Sequence, residues 1–70
     1  MDSEQATKMK KLLGYLVEHN REHSQEVRDW AAKAAEMGES ALADEMVMAA
    51  DKMDEANGLL DGSLKKLGGA

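Results

Sequence analysis

The chain has 70 residues, with nine basic and fourteen acidic side chains, no Cys, no Pro and a net charge of −5. That length allows one small domain, which hides only about 60% of its unfolded surface and so has a marginal core unless something braces it. Without Cys there is no disulfide, thiolate metal site or Cys nucleophile. The acidic balance repels phosphate backbones, and only Tyr15 and Trp30 could stack on bases, which argues against nucleic-acid binding.

No apolar run approaches the ~20 residues of a membrane span, and nothing reads as a signal peptide. The expected address is the cytoplasm, with no membrane partner. A third of the residues are charged, and Ala, Leu, Met, Glu and Lys abound. This is the composition of long, surface-exposed helices.

In chain order, Asp2-x-x-Gln5 is a capping-box-like start, with Ser3 an alternative N-cap. Nothing interrupts a first helix over about residues 3–37, until Met37-Gly38, where Gly can take the left-handed conformation. After a turn at 38–40, Ser40 is expected to cap a second helix over about 41–67, with Asp44 and Glu45 near its positive end. Gly68-Gly69 closes it. So short a turn folds the helices back antiparallel. The fold class is therefore all-α: one long two-helix hairpin, expected to dimerise into a four-helix bundle.

The apolar period supports this. The first helix carries Ala6, Met9, Leu13, Leu16, Asn20, His23, Val27, Trp30, Ala34 and Met37 at alternating spacings of three and four. The second carries Leu42, Met46, Ala49, Met53, Ala56, Leu60, Ser63 and Leu67. These read as a/d seams of several heptads. Folding about Gly38 pairs Trp30 with Met46, Val27 with Ala49, His23 with Met53 and Asn20 with Ala56. Trp30 is expected in the core, with its indole N–H partnered near the turn. On one flank Glu26 falls opposite Lys52 and Lys33 opposite Glu45, pairs of opposite charge. The other flank is small and nearly uncharged: Val17, Ser24 and Ala31 against Ala43, Ala50 and Asn57. A second hairpin is expected to dock on that small flank.

Charge also suggests an orientation. Lys8, Lys10, Lys11, Lys65 and Lys66 gather at the open end, and Glu36, Glu39, Asp44 and Glu45 at the turn end. An antiparallel homodimer sets each basic end against the partner's acidic end.

The chemistry-bearing stretch is Val17 to His23. His19-x-x-Glu22-His23 resembles the signature of the inverted zincins, which implies His19 and His23 as zinc ligands and Glu22 as general base. A catalytic zinc also needs a third protein ligand and a cleft for substrate, and a two-helix ribbon supplies no cleft. No catalytic residues are expected. Two readings remain for the histidines. In the first, Asn20 and His23 are polar members of the seam that set register and partner choice, with Asn57 as the partner of Asn20. In the alternative, His19, His23 and Glu26, at i, i+4 and i+7, bind a divalent transition metal such as Zn²⁺, Ni²⁺, Co²⁺ or Cu²⁺. The leading expectation is a non-enzymatic protein–protein interaction or assembly module. The runner-up is a small metal-binding or metal-responsive protein.

Overall fold

The computed structural model describes residues 3–68 as two helices, α1 (Ser3–Glu36) and α2 (Ser40–Lys66), packed as a hairpin. The molecule is a rod of 53 × 14 × 14 Å. Asp2, one of the two expected caps of the first helix, lies outside the described residues.

The turn follows from Gly38. Its φ of +83° is left-handed, which an L side chain adopts only with strain. Gly38 N–H donates to Ala35 O at 3.0 Å and Glu39 N–H to Ala34 O at 2.9 Å. These two bonds form a Schellman motif, which satisfies carbonyls that the end of α1 would otherwise orphan. Ser40 was expected as the cap of α2 but is its first helical residue. Glu39 holds the N-cap position instead and makes no side-chain capping bond. The Schellman bond already commits the Glu39 backbone, so the helix begins from a chain direction that the turn has set.

The seam between the helices differs from the expected a/d seam. Its buried residues are Val17, Ser24, Ala31 and Ala34 on α1 and Ala43, Ala50 and Asn57 on α2. Six of these are the small flank that was expected to receive a second hairpin. Here they pack inside a single one. The reason is size. A small residue at every seventh position lets the two backbones approach until side chains reach across to the opposite main chain. Asn57 Nδ2 donates to Val17 O at 3.0 Å, and Ser24 Oγ lies 3.4 Å from Ala50 O. Val17 lies opposite Asn57 and Ser24 opposite Ala50, the facing expected for the small flank. The heptads place the large a/d residues to one side of this close contact.

Candidate interaction face and histidine pair

Heptad geometry divides the ribbon into two sides about the small seam. Residues one before or three after a seam position lie on the first side: Leu16, Asn20, His23, Val27 and Trp30 on α1, and Leu42, Met46, Ala49, Met53 and Leu60 on α2. Residues four after a seam position on α1, namely Arg21 and Arg28, lie on the second side, with Asp54 and Asp61 of α2.

A polar clasp closes the second side. Arg28 Nη2 donates to Asp51 Oδ1 at 2.9 Å and also to Asp54 Oδ2. Ser24 Oγ–H donates to Asp54 Oδ1 at 2.6 Å, and having one proton it is committed there, not to the more distant Ala50 carbonyl. The hydrogen bond from Ser24, then that from Arg28, holds the Asp54 carboxyl below its ordinary value of 3.8. Hydrogen bonds to Asp54 and then Asp51 raise Arg28 in turn. The apolar period gives no indication of the clasp. Its signal was the Asp51-x-x-Asp54 pair facing Arg28, with Ser24 in the small stripe.

The expected cross-helix pairs do not form. Lys52 pairs with Glu55 of its own helix at 3.5 Å, and Glu26 stands 3.9 Å from His23. Among the described residues Lys33 and Glu45 make no ion pair with each other. Once the seam moves to the small stripe, these positions turn outward, and local i, i+3 partners are nearer.

The first side is apolar and half open. Val27, Met46, Met53 and Asn20 are half-buried, whereas Trp30 is 62% exposed, Met37 76% and Leu42 50%. Trp30 is thus not a core residue of the hairpin. It lines an open apolar depression of about 270 Å³ near the turn, with Ala34, Met37, Leu42 and Met46. Met9 and Leu12 line a second depression towards the open end. Asn20 makes no side-chain hydrogen bond among the described residues, and Asn57 bonds Val17 O instead of Asn20. Among the described residues Asn57 Oδ1 is buried without a partner. Val47 and Met48, beyond the seam of α2, stay exposed.

On the rim of this face runs the aromatic stripe. The Tyr15 and His19 rings stack at 5.2 Å and 17°, and His19 meets His23 edge-on at 4.3 Å and 73°. The two Nε2 atoms are 3.0 Å apart. His23 is exposed and turns its Nδ1 towards Glu26 Oε2 at 3.9 Å. Glu26 thus lies beside the ring nitrogen that does not meet His19. Among the described residues no cluster of three or more His, Asp or Glu side chains could hold a metal ion. Nor, among them, is any helix long and apolar enough to cross a membrane.

A family model described as a domain of unknown function (DUF8180) matches residues 9–67. No curated protein and no solved structure matches significantly.

Proposed function

The chain belongs to the family of that domain, DUF8180, and from the geometry of its hairpin we propose that it is a non-enzymatic assembly module whose partner is a second copy of itself. The observation that carries this reading is the division of labour between small and large residues. The hairpin closes on Val17, Ser24, Ala31, Ala43, Ala50 and Asn57, and leaves Trp30, Met37 and Leu42 exposed on one side. Among the described residues no side chain larger than Val is fully buried. A second hairpin laid against that side would cover Trp30, Met37 and Leu42 and build a four-helix bundle, leaving Leu12, Tyr15, Met48 and Leu59 outside it.

The dimensions suit this. One long side of a 53 × 14 Å rod offers on the order of 700 Å², close to the roughly 800 Å² per partner of a standard interface. Charge favours the antiparallel arrangement, because Lys8, Lys10, Lys11, Lys65 and Lys66 of one copy then lie near Glu36, Glu39, Asp44 and Glu45 of the other. This face is the a/d side, not the small flank expected from the sequence.

Sedimentation equilibrium across the micromolar range tests the reading. The expected species is a dimer that Trp30→Glu and Leu42→Glu dissociate while leaving helical circular dichroism in the monomer. A folded wild-type monomer at those concentrations would contradict it.

A further inference from the structure

The His19–His23 pair carries a second, independent reading. Two nitrogens bound at about 2.0–2.1 Å lie roughly 2.9 Å apart when they occupy adjacent positions of a square or octahedral ion, and about 3.3 Å apart on a tetrahedral one. His19 Nε2 and His23 Nε2 are 3.0 Å apart, one helical turn from each other on the same face. That separation is within hydrogen-bond distance, with the donor set by the tautomer.

We propose that His19 and His23 form a two-imidazole chelate for a divalent transition ion that favours adjacent nitrogens at right angles, Cu²⁺ first and Ni²⁺ next. Neutral imidazole suits both ions, and the ordinary order of affinity places Cu²⁺ highest. The surroundings fit the assignment. Tyr15 stacked on His19 limits rotation of that ring. Glu26 Oε2 lies 3.9 Å from Nδ1 of His23, too far for a hydrogen bond but on the side of the ring away from His19, where its negative charge favours a bound cation. Glu26 is therefore a supporting group and not a third ligand. Water completes the shell, since the pair lies on an exposed stripe. Both ligands belong to one helix, but His23 stands on the side assigned to the second copy, so the titrations are run on the Trp30→Glu monomer as well as on the wild type.

Cu²⁺, Ni²⁺ and Zn²⁺ are titrated into the EDTA-treated full chain by calorimetry, and electron paramagnetic resonance is recorded on the Cu²⁺ form. The expected results are one ion per chain, affinity in the order Cu²⁺ > Ni²⁺, and hyperfine coupling from two imidazole nitrogens. Affinity falls in acid, because protons compete for the same nitrogens. Losing either imidazole removes an intramolecular second contact, so His19→Ala and His23→Ala each weaken binding about a hundredfold. Glu26→Gln, which removes only a nearby negative charge, weakens it less than either histidine variant does. Both histidines are replaced by the better helix former, and circular dichroism verifies that each variant folds; His19→Gln serves as a second version. A Cu²⁺ spectrum with one nitrogen, or affinity unchanged in either histidine variant, would overturn the proposal. The latter result would assign the ion to the chain terminus or to scattered carboxylates.

Discussion

At the level of single residues, this hairpin depends on side chains that are unusually small or unusually well bonded. Ala50 is fully buried at the closest part of the seam. Ala50→Leu must push the helices apart, and overpacking of this kind costs about 1–3 kcal/mol. Urea unfolding should show that loss, whereas Ala49→Leu, on the open side of the same helix, should show none. The polar clasp adds a pH dependence. Asp54 is held below its ordinary value in the folded state, so its contribution is present above about pH 3.8 and lost as pH falls through the lower folded value. Wild type should therefore lose stability in acid more steeply than Asp54→Asn over that window. Equal slopes in urea midpoints against pH would show that the clasp contributes nothing. Asn57 serves as the register device. Its Nδ2 bonds a backbone carbonyl across the seam while Oδ1 is left unmet, an arrangement that costs about 1–3 kcal/mol but penalises every shifted pairing.

Among the elements, the glycines separate into two kinds. Gly38 makes the turn at positive φ, and Gly38→Ala should destabilise the hairpin by about 1–2 kcal/mol through strain alone, since a Cβ there meets open space. Gly58 and Gly62 stand in the interior of α2 with ordinary φ, and a Cβ at either meets nothing within 4 Å. Gly58-x-x-x-Gly62 is therefore not a site of close approach within the hairpin. Gly58→Ala and Gly62→Ala should each stabilise it by about 0.5–1 kcal/mol, which thermal unfolding measures directly. A loss of stability at either would mean that a second chain packs there. Both helix ends use a left-handed Gly, at Gly38 and Gly68. The stops were legible from the sequence because few residues other than Gly tolerate that conformation. The N-cap of α2 was not, because Glu39 is placed by the turn bonds and not by its own side chain.

Over the whole molecule, a ribbon one side chain thick leaves its largest apolar residues half covered. Association through the Trp30–Met46 side, in antiparallel orientation, should weaken as salt screens the complementary ends. Equal dimer affinity at low and high ionic strength would speak for the parallel orientation or for purely apolar pairing. Asn20, unbonded within the hairpin, faces that same side. If two copies pair on that side, Asn20→Leu should raise stability and give mixed species on sedimentation in place of one dimer, as removal of a buried polar interface residue does.

Length, the absence of Cys and Pro, the two glycine stops and the apolar period together determined two antiparallel helices and the register between them, because each of these acts locally along the chain. The tertiary structure decided which of the two parallel stripes becomes the seam. Both stripes repeat every seven residues, so periodicity cannot choose between them. The choice depends on how closely the backbones can approach, and the small stripe wins by bringing Asn57 to the opposite main chain and Ser24 to the Asp54 carboxylate. The same holds for the stretch from Val17 to His23. The sequence placed both histidines on one face of a helix, but only the side-chain packing brought their Nε2 atoms together and set Glu26 beside the other ring nitrogen.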